Sequence, residues 1–333
     1  MKVIDEDWVF RYRSMSSLSL KELMYNEIYF SYPDELNDPL DLEAELIVPA
    51  GCDFVIEYFI SGALKSINFP RPKEISDLQL KFSKSIAKIC ASRTFNIGEF
   101  LTQHSKEWLE AEYRKAELEP FKFEGFYSSL INSLSNLFPS NLQSASFSES
   151  CLNPLLWSVY ADKHSGFSLI FDPNEKQLRL SKYMDTEKKE FLLEPVDYSS
   201  DISVDLSLMF NESKEFDYKC LSTLYFPSLS KKALLTKNSN WHKENELRIH
   251  LGVNASFSHR ESDVERMTPV EKTYNYDVAQ LVGVIYGYKM QPKDREEIKK
   301  IFEVKKQNCY LFEAIPQGND MAIGYLGGMG FYD

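Results

Sequence analysis

Glu244-Asn245-Glu246-Leu247-Arg248-Ile249-His250-Leu251 is the stretch that decides the fold class. Leu247, Ile249 and Leu251 alternate with Glu246, Arg248 and His250, the period-two pattern of a half-buried strand with one polar face. Such a strand needs sheet neighbours, and other stretches supply them. Residues 281–287 read as a buried strand, and Phe167-Ser168-Leu169-Ile170-Phe171 as another, closed by Asp172-Pro173. At the start of the chain, Trp8-Val9-Phe10-Arg11-Tyr12-Arg13 is aromatic-rich and alternating, and Glu27-Ile28-Tyr29-Phe30-Ser31 follows as a second strand stopped by Pro33. Residues 146–148, 191–196 and 310–315 complete the expected strands, the last of them closing the sheet.

Helical signals interrupt this pattern. Ser-rich residues 14–19 offer caps for a helix carrying Leu20, Leu23 and Met24. A helix opening at Asn153-Pro154 would hold Leu155, Trp157, Tyr160 and His164, with Gly166 as its C-terminal cap, and a basic helix spans 292–302. Residues 53–140 are different in kind: Leu78, Leu80, Phe82, Ile86 and Ile89, then Phe126, Leu130, Leu134 and Leu137, recur at helical spacing. The expected organisation is therefore α+β. A mixed or antiparallel sheet core (residues 1–52 and 141–320) is interrupted by an all-helical insertion (53–140), which would bind a partner or self-associate. A Gly-rich stretch, 321–333, reads as a flexible tail.

Composition narrows the function. Five scattered cysteines without a CxxC pair argue against a disulfide framework or a structural zinc site. No apolar run is long enough for a transmembrane helix and the acidic start is unlike a signal peptide, so the sequence reads as cytoplasmic with no membrane partner. A net charge of −12 argues against broad nucleic-acid binding. Residues 1–50 hold 11 acidic and 4 basic side chains, so the charge is uneven. Phosphate loops, dinucleotide fingerprints, nucleophile elbows and HExxH pairs do not occur.

Three constellations remain. In Lys237-x-x-x-Trp241-x-x-Glu244-x-Glu246-x-Arg248, an extended backbone would point Glu244, Glu246, Arg248 and His250 the same way. A carboxylate kept ionised by Arg suits general-base work or stabilisation of a cationic transition state. The alternative is a surface Glu–Arg ladder on an edge strand. Trp157, Tyr160 and His164 would form one helical stripe, either stacking on a base or nicotinamide ring or serving as core. Ser31-x-Pro33 with Asn37-Asp38-Pro39 is an architectural turn or, with Asp41 and Glu43 beyond it, an oxygen-rich cation site.

In this order the motifs resemble an uncharacterised bacterial family known only as a domain of unknown function. The resemblance rests on Phe10-Arg11-Tyr12, the strand ending in Ser-x-Pro, Asn-Asp-Pro, the block from Trp157 to Gly166, and Lys237 to Arg248. It covers residues 8–48 and 145–290, and such genes often accompany phage-defence systems. More weakly, the chain is similar to the ADP-ribosyltransferase superfamily. That likeness implies NAD as substrate, a polar group from Tyr12 or Arg13 on the first strand, Ser31 on the second, and Glu244 or Glu246 as catalytic carboxylate. Arg11, Arg13 or Arg248 would neutralise the pyrophosphate, Tyr12 or Tyr160 would face the nicotinamide, and Asn37, Trp157, His164 and Lys237 would complete a site for a nucleotide-like molecule. The transferred group would go to a protein, a nucleic acid or water. Two rival readings are a metal-dependent nuclease or phosphodiesterase using Asp38, Asp41, Glu43, Glu244 and Glu246, and a non-catalytic interaction module.

Overall fold

A computed structural model describes residues 3–38, 41, 45–68, 75–100, 103–135, 143–182, 185, 187–199, 203–210, 235–251, 267–318 and 320–330. In chain order the strands are β1 (Val9–Arg13), β2 (Glu27–Tyr29), β3 (Glu45–Val48), β4 (Phe95–Asn96), β5 (Gln143–Ser148), β6 (Phe167–Phe171), β7 (Gln177–Lys182) and β8 (Lys189–Leu192). They continue as β9 (Glu194–Pro195), β10 (Asp197–Ser199), β11 (Ser203–Asp205), β12 (Thr236–Asn238), β13 (Glu246–Leu251), β14 (Thr273–Tyr276), β15 (Leu281–Tyr286), β16 (Cys309–Gln317) and β17 (Asp320–Met329).

Eight strands form one sheet in the order β17-β16-β15-β6-β1-β5-β13-β9. It is mixed, because β15 and β16 run parallel while their neighbours pair antiparallel, and the fold is α+β. Alternation along the strands sends Val9, Phe147, Leu247, Ile249 and Val284 into one core, beneath the four-stranded sheet β2-β14-β7-β8 and the helix Pro292–Lys305. Trp8, Phe10, Tyr12, Ile285 and Phe312 enter a smaller core on the opposite face, closed by Leu156 and Trp157 of the short helix Pro154–Val159.

Helices Asp53–Ser66, Asp77–Cys90, Gln103–Lys115 and Phe123–Ser135 pack around a third core of their own. Leu46, Val48, Val204, Leu206 and Met209 belong to that core, so the β3–β11 segments go with the helices rather than with the main sheet.

Several local expectations are corrected. The Gly-rich stretch expected as a flexible tail is, over residues 320–329, the edge strand β17. Gly318 turns the chain back with φ +64, and Met321 and Tyr325 pack on the smaller core. The strand expected to close the sheet at 310–315 is therefore followed by another. The strand at 191–196 is divided into β8 and β9.

The helix at Pro154 stops at Val159 instead of running to His164. Asp162, Lys163 and His164 take positive φ values of 46, 53 and 72, a left-handed turn that ends the helix and breaks the expected stripe. Gly166 and Gly287 allow this turn to close on the sheet. A Cβ at Gly166 would collide with the Arg13 carbonyl, and one at Gly287 with the His164 carbonyl.

One feature of the sheet positions the site. β1 pairs with β6 along five residues but with β5 only at Phe10↔Ser148. Four residues back along β5, Ser144 pairs instead with Ser31, in an isolated bridge of two 2.9 Å backbone hydrogen bonds. The sheet thus forks between β1 and β5.

Candidate functional site

A cleft of about 230 Å³ opens at this fork. Strand β1 contributes Arg11, Tyr12 and Arg13; the chain after β2 contributes Ser31, Glu35, Asn37, Asp38 and Asp41; β5 contributes Ser144, Ser146 and Ser148. Tyr160, Lys237, Glu244 and Glu246 close the remaining side. The first-strand, second-strand and late-strand residues picked out in the sequence therefore meet in one place.

Glu244 and Glu246 reach the cleft by a route that periodicity does not show. The segment Ser239–Glu244 is a 3-10 turn, opened by the Asn238 side chain accepting from the Asn240 amide. Asn245 takes a left-handed conformation (φ 44), which Asn tolerates well, and β13 begins only at Glu246. Parallel pairing of β10 with β12 sets Tyr198 beside Lys237, and the Tyr198 hydroxyl accepts from the Glu246 amide at 2.8 Å.

Five charged side chains form a buried cluster. Lys237 Nζ lies 2.7 Å from Glu244, 3.0 Å from Glu246 and 3.2 Å from Asp41. Arg248 binds Glu246 through Nε at 2.7 Å and through Nη2 at 2.9 Å, and Asp41 at 2.7 Å. Arg248 is completely buried. Three carboxylates thus face two cations, and with all five ionised the cluster carries one excess negative charge. The surface Glu–Arg ladder is corrected: these side chains are interior, and their ionisation is set by their mutual contacts.

The two glutamates titrate in opposite directions. Burial alone would raise Glu246, but Arg248, Lys237 and the Ser146 hydroxyl overcome it and hold the carboxyl at about 2. Burial raises Glu244 above its ordinary value, with Lys237 and the Tyr160 hydroxyl only partly opposing. Tyr160 donates to Glu244 at 3.0 Å, and its phenol is raised by burial and then by that carboxylate. For Lys237, burial opposes the charge, but Glu246, Asp41 and Glu244 outweigh it and the ammonium is stabilised.

The other sequence candidates are placed as follows. Trp157 is fully buried behind the cleft wall, edge-on to Tyr12 at 5.1 Å, with its indole N–H donated to the Cys151 carbonyl. His164 does not line the cleft; its ring lies 5.0 Å from that of Tyr288. Arg248 stands behind Glu246 and not at the cleft surface. Arg11 donates to the Ser146 and Tyr29 carbonyls, and Arg13 to Glu22 at 2.8 Å. Glu43 lies outside the described residues. Sequence reasoning missed Tyr198, Ser146 and Glu35: the first two carry no motif and are brought in by pairing between distant strands, and Glu35 sits in the turn Pro33–Glu35 after β2.

A metal site would need Asp41, Glu244 and Glu246 to converge. They do, but on the Lys237 ammonium, with further oxygens taken by Arg248. Among the described residues no group of three His, Cys, Asp or Glu side chains is arranged to hold a metal ion, and no helix is long and apolar enough to cross a membrane.

Residues 156–249 match the family model described as a protein of unknown function, DUF2971. The matched residues include Tyr160, Lys237, Glu244 and Glu246 of the cleft and Arg248 behind them; β1, β5 and the cleft residues Ser31, Glu35, Asn37, Asp38 and Asp41 lie outside the match. No curated protein and no solved structure matches the chain.

Proposed function

We propose that this chain cleaves the nicotinamide–ribose bond of NAD in the fork cleft, as an ADP-ribosyltransferase-like effector in bacterial phage defence or stress response. The ADP-ribose would pass to a protein, a nucleic acid or water. The supporting observation is the pairing of Glu244 and Glu246: adjacent carboxylates, one raised and one lowered in pKa, in a cleft also lined by Tyr12, Arg13 and Ser31.

In this reading the bond from ribose C1′ to the nicotinamide nitrogen breaks and its electron pair leaves with nicotinamide, which departs neutral. Positive charge builds on the ribose, and the excess negative charge of the Asp41–Lys237–Glu244–Glu246–Arg248 cluster favours it, as such preorganised groups do by several kcal/mol. Glu244, made more basic by burial, takes the proton of the attacking hydroxyl or water. Asp41 Oδ1, buried and without a hydrogen-bond partner among the described residues, offers an acceptor for a ribose hydroxyl. A cleft of about 230 Å³ is smaller than the ~300–1,000 Å³ of sites that enclose drug-sized ligands, so it takes the nicotinamide–ribose end while the remainder lies over the mouth.

The test is incubation of purified protein with NAD while following nicotinamide release. Loss of release in Glu244→Gln by about 10²–10⁴-fold is expected; a wild-type protein that releases none, or a variant that releases it unchanged, rejects the proposal.

A further inference from the structure

Arg11 occupies the fork itself. Its Nη1 donates to the Ser146 carbonyl at 2.9 Å and its Nη2 to the Tyr29 carbonyl at 3.2 Å, so one guanidinium ties β1 both to β5, from which it parts there, and to β2. Ser146 lies midway along β5 between its one partner on β1 (Phe10↔Ser148) and its bridge to Ser31 (Ser31↔Ser144). At that point the Ser146 carbonyl would face the gap, and the guanidinium supplies its donor. Arg11 is 5% exposed, lies 5.2 Å over the Phe147 ring, and among the described residues has no carboxylate partner. Burying a cation without a carboxylate in direct contact costs free energy, and the charge of Glu22, which is bound to Arg13, only partly offsets it.

We propose that Arg11 is a positioning residue, a two-carbonyl clamp that holds the sheet open at the fork and sets the spacing between the two walls of the cleft. On one side it fixes Ser146, whose hydroxyl bonds to the Glu246 carboxylate. On the other it fixes Tyr29, whose hydroxyl donates to Glu35 at 3.1 Å and whose chain leads directly to Ser31. The planar guanidinium presents several donors in a fixed fork and so reaches two separated acceptors at once. An ammonium carries its three donors on a single nitrogen, so it does not match two carbonyls that Nη1 and Nη2 reach separately. The clamp replaces the pyrophosphate contact expected of Arg11 with a structural one made by the protein alone, whatever ligand the cleft takes.

Backbone hydrogen exchange in ligand-free protein tests the clamp. The Ser31 and Ser144 amides, each bonded across the bridge, report on the fork. In Arg11→Lys both should exchange about tenfold faster, while amides of the β16–β17 hairpin keep their wild-type rates. Arg13→Lys, which alters the neighbouring guanidinium, should leave Ser31 and Ser144 unchanged. A kinetic arm rests on the NAD proposal: Arg11→Lys should lower kcat for nicotinamide release about tenfold with little change in KM, and added guanidinium ion should restore part of the loss in Arg11→Ala. Wild-type exchange at Ser31 and Ser144 in Arg11→Lys overturns the clamp, as does acceleration spread evenly over the molecule. If wild-type protein releases no nicotinamide, the NAD proposal fails and the exchange result still decides the clamp.

Discussion

Glu244 and Glu246 share one ammonium, that of Lys237, at 2.7 and 3.0 Å, yet only Glu246 also binds Arg248. That second cation separates their roles. Glu246 is a fixed anion whose partners are interior, whereas Glu244 shares its remaining oxygen with the Tyr160 hydroxyl at the cleft surface. Substitution by glutamine should therefore split. Glu246→Gln leaves the fully buried Arg248 short of charge and should cost on the order of 3 kcal/mol of stability. Glu244→Gln removes a carboxylate that burial already disfavours, and should leave the unfolding midpoint near the wild-type value while removing nicotinamide release. Urea unfolding beside the NAD assay separates the two; equal destabilisation by both would show that the pair is a single structural unit.

The same asymmetry sets the behaviour in acid. Glu246 titrates at about 2 in the folded protein, while a glutamate in an unfolded chain titrates near about 4.3. A lowered folded pKa contributes stability that is present above the unfolded value and is lost as pH falls through the folded one. Glu246 should accordingly contribute about 3 kcal/mol at neutral pH, withdrawn between about pH 4 and pH 2. Glu244, raised by burial, has the opposite sign: its contribution favours folding at low pH and is lost as pH rises through its folded value. Stability measured by urea at stepped pH should show a steep acid limb that Glu246→Gln flattens and Glu244→Gln leaves in place.

Tyr160 tunes Glu244 directly. Its hydroxyl donates to the carboxylate at 3.0 Å and lowers a pKa that burial has raised. Tyr160→Phe removes that bond and keeps the ring. The Glu244 pKa should then rise further, and the acid limb of the pH–rate profile for nicotinamide release should move to higher pH. A limb that stays in place would mean that Glu244 is not the group whose ionisation governs turnover.

Much of the main sheet was legible from its apolar pattern. Residues 8–13 and 246–251 read as strands from alternation, and 167–171 and 281–286 from their apolar runs; they lie side by side about the β5 fork. The carboxylate–cation motif was legible as chemistry but not as geometry. Extended spacing from Glu244 to Arg248 suggested one shared face, whereas Asn245 turns the backbone between the two glutamates and Arg248 sits behind them. Asp41 and Tyr198 were not legible as its partners, because a contact between residues 41 and 248, or a parallel pairing of 198 with 237, is fixed by tertiary packing and leaves no local period. The β17 strand was hidden by its glycines, which mimic a flexible segment until the partner strand β16 is present.

The His-x-Gly block makes the sharpest separation between architecture and chemistry. His164 lies in a left-handed turn outside the cleft, and its carbonyl accepts from the Lys289 amide at 3.0 Å. Its contribution is made through backbone, and His164→Ala should leave nicotinamide release within about twofold of wild type. Gly166 and Gly287 are the residues this turn depends on, since a methyl group at either would strike backbone, which cannot rotate aside as a side chain could. Gly166→Ala presses on the Arg13 carbonyl at the end of β1 and so on the cleft itself. Gly287→Ala presses on the His164 carbonyl, three residues before β6 begins at Phe167. Both should lose about 1–3 kcal/mol or more in urea unfolding, and Gly166→Ala should lose catalytic activity beyond what its loss of stability explains, because β1 carries Tyr12 and Arg13 into the site. A Gly166→Ala protein as stable and as active as wild type would show that the close approach of this turn to β1 does not hold in solution.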